Sequence, residues 1–203
     1  MTPIENYGSL MWTIRGRFDV IETLRQSTAE SFSRAESAAF NGRKIVEAIA
    51  FACLVAIDHG ALTIPRDAKG QWNAETIFKS LKAKSLVVLP SPSIIRQSTA
   101  DEKSSSNVNV TIEGVPGRRL SYDDLIAIYQ RLHAWLHEVN PYVHQERSDF
   151  YAKKSAALWQ DLTDLHEFIE RHFISIQGNG FFCVLRDTQD QQTKVIPLSK
   201  EAA

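Results

Sequence analysis

Two cysteines in 203 residues, Cys53 and Cys183, argue against a disulfide framework, and no Cys-x-x-Cys pair offers a zinc site. Each lies in an apolar stretch, so both read as buried free thiols. Glycine is sparse and is nowhere spaced as a phosphate-binding loop, and no nucleophile elbow is present. The longest apolar run, 48–57, is too short to cross a bilayer. The opening residues have neither the basic nor the apolar segment of a secretory signal. A dominant charge is lacking too: 23 Lys+Arg against 24 Asp+Glu leaves −1. That argues against a globally basic nucleic-acid binder, though not against a local basic patch. Together these absences predict a cytoplasmic chain with no membrane association.

What is present is helical periodicity. Ile4, Tyr7, Met11, Ile14, Phe18 and Ile21 recur at alternating steps of three and four, the stripe of a helix with one buried face. Gly8 and Gly16 weaken that helix without breaking it. Residues 29–59 form a second helix ending at Gly60. Its later half, 45–57, is apolar on nearly every side and belongs at the centre of a bundle. Asn41-Gly42 is where it would kink or divide. Asn73 caps a short helix over 74–84. Ser121 and Asp124 have the form of a capping box opening a helix over 121–142. Its inward positions are Leu125, Ile128, Leu132, Trp135 or Leu136, and Val139, and Pro141 ends it. A last helix covers 148–174, with Leu158, Leu162, Leu165, Ile169 and Phe173 in register. Two strand-like runs, 181–186 and 193–198, flank the polar tract DTQDQQ.

The expected fold is therefore mainly α: a bundle of four to five helices with a C-terminal β-hairpin. Residues 1–174 make the helical domain and 175–203 the hairpin appendage and tail. Prolines and glycines punctuate 86–120, a connection long enough to be functional, with one short alternating run at 108–112.

Residues able to carry chemistry concentrate in 121–142. Arg131 precedes His137 by six residues, and His133 lies one turn before His137. Arg supplies a permanently charged fork for phosphate, and a His near a helix C-terminus exchanges protons near neutral pH. Together they suit metal-free cleavage of RNA, with His137 moving a proton and Arg131 stabilising the charged phosphorane. On one straight helix the two are roughly 240° apart, so they act jointly only where the helix end bends or a partner subunit completes the site. About one Arg at this distance before a His is expected by chance in such a composition, so the spacing alone carries little. The structural alternative pairs Arg131 with Asp123 or Asp124 and lets His137 cap the helix end.

His133 and His137 would give a metal two ligands, with a third to come from His144 or elsewhere. Ala134 stands where the Glu of an HExxH zinc site would be, so no metal and no cofactor is expected. Glu47, a carboxylate in the most apolar helix, needs a partner. Arg43, one turn earlier, is the local candidate, and otherwise Glu47 would orient Arg131 or His137. His166 and His172 read as helix-surface residues, and Trp12, Trp72, Trp135 and Trp159 as core rather than base-stacking platforms.

Arg131, five intervening residues and His137 near a helix end, the apolar helix carrying Arg43, Lys44 and Glu47, and the phrase Leu136-His137-Glu138-Val139-Asn140-Pro141 together resemble the HEPN superfamily. Those are compact α-helical domains, often dimeric, whose ribonuclease members carry an Arg, four to six residues, then His. The resemblance covers the layout of 1–174 and a much shorter stretch in motif. Leu132 stands where active members often have a polar residue, and the C-terminal hairpin lies outside the core domain.

The resemblance implies an RNA-cleaving or RNA-binding effector in a bacterial defence or toxin–antitoxin setting. Arg131 and His137 would be catalytic, with His133, Glu47, Arg43 and Asn140 supporting. It also implies RNA as partner, a homodimer with its site across a two-fold axis, and a protein partner encoded nearby. The alternative is a non-catalytic interaction module, an antitoxin, adaptor or subunit of a larger complex, docking through the hairpin edge or the 86–120 segment.

Overall fold

The computed structural model describes residues 1–28, 31–106, 109–138, 140, 142 and 146–198. Among the described residues the helices are α1 (Pro3–Gln26), α2 (Ser31–His59), α3 (Arg66–Lys69), α4 (Ala74–Ala83), α5 (Ala100–Ser106), α6 (Tyr122–Ala134) and α7 (Arg147–Ile169). The strands are β1 (Ser91–Gln97) and β2 (Val110–Gly114), either side of α5, and then β3 (Arg171–Ile176), β4 (Asn179–Val184) and β5 (Lys194–Leu198).

α1 begins with a capping box. The Thr2 hydroxyl accepts the Glu5 N–H at 3.4 Å, the Glu5 carboxylate accepts the Thr2 N–H at 2.7 Å, and Pro3 opens the first turn. Its stripe Tyr7, Met11, Ile14, Phe18 and Ile21 is buried, and α2 is its principal neighbour. α2 runs without a break through Asn41-Gly42. Gly42 provides room rather than a bend. A Cβ there would lie 2.4 Å from Cδ2 of Leu162 and 3.2 Å from Cδ1 of Leu132, so the glycine lets side chains of α6 and α7 close onto α2. α2 touches α1, α4, α6, α7, β3 and β4, which is why its later half is apolar on all sides.

The expected bundle with a terminal hairpin is not what forms. The strands make one five-stranded antiparallel sheet in the order β2-β1-β3-β4-β5. Two of them arise within 86–120, and β3 arises where the last helix was expected to continue. Phe173 keeps a helix-like spacing to Ile169. It is nevertheless held extended by pairing on both sides, with Phe182 of β4 and Ser91 of β1. Tertiary pairing overrides the local period there. β3 and β4 are joined through Gln177 (φ 52°) and Gly178 (φ 85°), two left-handed residues in the turn whose twist matches the strands. β1 meets β3 over two residue pairs, Ser91 with Phe173 and Pro92 with His172; Pro92 has no N–H to give the ladder.

The sheet joins the helices through an aromatic stack. Phe181 lies against Tyr7 (centroids 4.6 Å) and His59 (4.2 Å). His172, expected at a helix surface, is fully buried in β3. Its Nδ1 faces the Ile169 carbonyl at 2.8 Å, so Nδ1 carries the proton, and Nε2 accepts from the Tyr7 hydroxyl at 2.6 Å. Burial holds this imidazole neutral, down to a pKa of about 4. Cys53 and Cys183 are free and buried, and burial pushes both thiols up. Trp12 and Trp72, expected in the core, are exposed, whereas Trp135 is buried. No described helix is long and apolar enough to cross a membrane.

Candidate functional site

α6 opens as its sequence dictates. The Ser121 hydroxyl accepts the Asp124 N–H at 3.2 Å, and the Asp124 carboxylate accepts the Ser121 N–H at 2.8 Å. The helix then ends at Ala134, well short of the expected 142. The N–H groups of Trp135 and Leu136 reach carbonyls three residues back, Leu132 at 3.3 Å and His133 at 3.0 Å, which tightens the last turn. The Trp135 ring meets Phe150 edge-on at 4.9 Å and also packs on Phe32 and Tyr151. Seating that indole between α2 and α7 accounts for the chain leaving the helix here. Asn140 accepts the Tyr142 N–H at 2.9 Å, a local turn on an exposed residue. Val139, Pro141 and His144 lie outside the described residues.

Arg131 and His133, two positions apart on α6, face directions about 200° apart. Arg131 faces α7 and forks onto Asp161, Nε to Oδ2 at 2.9 Å and Nη2 to Oδ1 at 2.7 Å. The Asp161 side chain is 7% exposed and that of Arg131 51%. The two border a cleft of about 190 Å³ between α6 and α7, where Trp135, Phe150, Lys153 and Lys154 also lie. The carboxylates expected to hold Arg131 are used elsewhere: Asp123 takes Lys82 at 2.6 Å, and Asp124 serves the cap.

His137 belongs to a different group. Its Nε2 is 3.0 Å from Nε2 of His133, and Nδ1 of His133 is 3.0 Å from Nη1 of Arg43 on α2. A guanidinium only donates, so Nδ1 of His133 accepts. His133 then carries its proton on Nε2 and donates it to Nε2 of His137. His137 is left with its own proton on Nδ1, available to an incoming acceptor. Burial, then the Arg43 charge, then His137 push the His133 pKa below the ordinary histidine range. The same tautomer removes the lone pair that a metal would need from Nε2 of His133. Among the described residues no group of three His, Cys, Asp or Glu is placed to hold a metal.

The chain of contacts continues inward. Nη2 of Arg43 donates to the Tyr129 hydroxyl at 2.9 Å while the guanidinium lies over the Tyr129 ring at 4.9 Å. Tyr129 donates in turn to Oε1 of Glu47 at 3.2 Å. Glu47, 8% exposed at its side chain, also accepts from Nζ of Lys44 at 2.6 Å and faces Nε of Arg43 at 3.4 Å. Its cationic partners lie three and four residues back on its own helix, as helical spacing dictates. A connected path therefore runs from Glu47 through Tyr129, Arg43 and His133 to His137. Two permanent cations share one carboxylate, leaving positive charge in excess.

Of the residues singled out from the sequence, Arg43, Glu47, His133 and His137 come together, while Arg131 and Asn140 stand apart from them. Tyr129 was missed; the step of four in Tyr129, His133 and His137 was the signal that would have found it. The chain matches no family model, no curated protein and no solved structure.

Proposed function

We propose that the chain is an RNA-binding, metal-independent RNA-cleaving effector of the HEPN type, in a bacterial defence or toxin–antitoxin setting, with Arg43, His133 and His137 as its phosphate site. One observation supports this above others: excess positive charge is wired through His133 to a surface imidazole that presents an N–H. A phosphodiester set against His137 accepts that N–H within the field of Arg43 and Lys44. The 2′-oxygen then attacks phosphorus and its proton passes to solvent. The P–O5′ bond breaks, and the His137 imidazolium protonates the departing 5′-oxygen. A cyclic phosphate and a 5′-hydroxyl result.

A non-catalytic interaction module, with a protein partner encoded nearby, draws on another observation: the Arg131 fork is already engaged in joining α6 to α7. Incubation with total RNA in EDTA separates the two readings, comparing wild type with His137→Ala and Arg43→Ala. Cyclic-phosphate ends from wild type and from neither variant are the expected result. RNA that is bound but not cut, with binding weakened by Arg43→Ala, would favour an RNA-binding module. Cutting that persists in both variants would remove the cluster from the chemistry.

A further inference from the structure

The cleft of about 190 Å³ between α6 and α7 lies on the Arg131 side of α6, which faces away from His133. Its floor is apolar: Leu132 and Trp135 come from α6 and Leu158 from α7, and all three are buried. The Phe150 ring, edge-on to Trp135 at 4.9 Å, makes one wall. Ala134 on α6 and Ala157 on α7 also line it, and each brings only a methyl group. Close packing is the rule where helices meet. Here the Arg131–Asp161 fork clasps the two helices together, and the hollow beside it is left unfilled.

The rim is cationic. Lys153 and Lys154 line the cleft and are exposed, and among the described residues neither has a hydrogen bond or an ion pair. Helical spacing sets Lys154, Ala157, Leu158 and Asp161 on one face of α7, so the ammonium groups and the Arg131 guanidinium bracket the apolar floor about two turns apart. Asp161 is the one carboxylate among the described lining residues, and it is already engaged by Arg131. Arg131 gives it one N–H from Nε and one from Nη2, which leaves three of its five for another acceptor. Cations around an apolar hollow, with their carboxylate taken, suit an anion that carries an apolar body. Size narrows the class. The hollow is smaller than the roughly 300 Å³ at which drug-sized sites begin, and a little larger than the ~150 Å³ cavity that takes benzene. An inorganic anion would leave the floor bare, and a long acyl chain would overrun it. We propose that this cleft binds a small aromatic carboxylate, with its ring against Trp135, Phe150 and Leu158 and its carboxylate at Lys153 and Lys154, within the field of Arg131.

Titration of the full chain with trans-cinnamate tests this, read from the indole N–H NMR signal of Trp135, with cinnamamide as the uncharged isostere. Saturable binding with a dissociation constant on the order of 0.1 mM is expected for cinnamate, and binding about tenfold weaker for cinnamamide. Ala157→Leu, which puts a branched side chain into the hollow, should weaken cinnamate at least about tenfold. The double variant Lys153→Ala, Lys154→Ala should bring cinnamate down to the level of cinnamamide without changing cinnamamide itself. That split separates a lost charge contact from a damaged cleft. Circular dichroism and a thermal melt confirm that the variants stay folded. The proposal would be overturned by a Trp135 signal that does not respond at ten times the expected dissociation constant. Equal binding of acid and amide by wild type would overturn it too, as would cinnamate binding that tolerates both Ala157→Leu and loss of the two lysines. Neither outcome bears on the RNA reading, which EDTA cleavage tests separately.

Discussion

Arg131 clasps Asp161 through two near-parallel hydrogen bonds, 2.9 and 2.7 Å, across the junction of α6 and α7. The buried end of this pair is the carboxylate. Removing the guanidinium leaves this nearly buried carboxylate without its forked partner.

Arg131→Ala should therefore lower the free energy of unfolding by about 2 kcal/mol, less than the loss at a fully buried pair because the guanidinium is half in water. Arg131→Lys should recover only part of that, since an ammonium cannot fork. Urea denaturation of both variants measures the effect. If stability did not change, Arg131 would have no structural duty here and would be free for another.

Arg43 opposes charge on His133 by its own charge and by filling Nδ1. In Arg43→Ala both effects vanish while partial burial remains. The His133 pKa should rise toward, without passing, the ordinary histidine value; its present depression has burial as the largest cause and Arg43 as the next. NMR titration of the imidazole C–H signals reads this directly. A His133 that titrates identically with and without Arg43 would show that the bond to Nδ1 does not persist in solution.

His172 ties stability to acid. Folded, its pKa is held down to about 4 by burial; unfolded, it is near 6.5. Above pH 6.5 neither state holds the proton and this group imposes no pH dependence. Between about 6.5 and 4 only the unfolded state binds it, so stability falls as pH falls, by a total of ~3 kcal/mol, and flattens below the folded value. His172→Gln, which does not titrate, should show a shallower loss between pH 7 and 4.5 in urea melts. Parallel pH profiles for the two proteins would locate the acid sensitivity elsewhere.

A Cβ at Gly180 would sit 2.1 Å from the Ile174 carbonyl oxygen and 2.9 Å from the Ser175 Cα, backbone atoms that cannot swing aside. Gly180→Ala should cost about 2–3 kcal/mol by prising β4 from β3. Thermal unfolding of this variant beside Gly70→Ala, where nothing is near, measures the penalty of backbone crowding.

Elements governed by neighbours three or four residues away were legible in the sequence. The Asn73 and Ser121 caps and the buried stripe of α1 are of this kind. The sheet was not, because Ser91 acquires its strand geometry from Phe173, far along the chain. His172 went to the wrong surface for the same reason: a helical reading of Phe173 turns it outward, whereas a strand between β1 and β4 buries it. The early end of α6 rests on Phe32 and Phe150, which no local pattern brings to Trp135. Four of the candidate site residues converge because helical spacing fixes Arg43 near Glu47 and His133 near His137. The partner of Arg131 lies 30 residues on and had no signature.

β3 lies between β1 and β4, so the sheet is finished only by the last part of the chain. On the ribosome, β1 and β2 emerge early and can zip together, while the edge of β1 that will meet Ser91's partner stays vacant until Phe173 has been synthesised. α1 and α2, close in sequence, can associate long before that. The nascent protein is thus a helical pair carrying a half-built ribbon, and its slow, aggregation-exposed interval is the wait for closure from the far end.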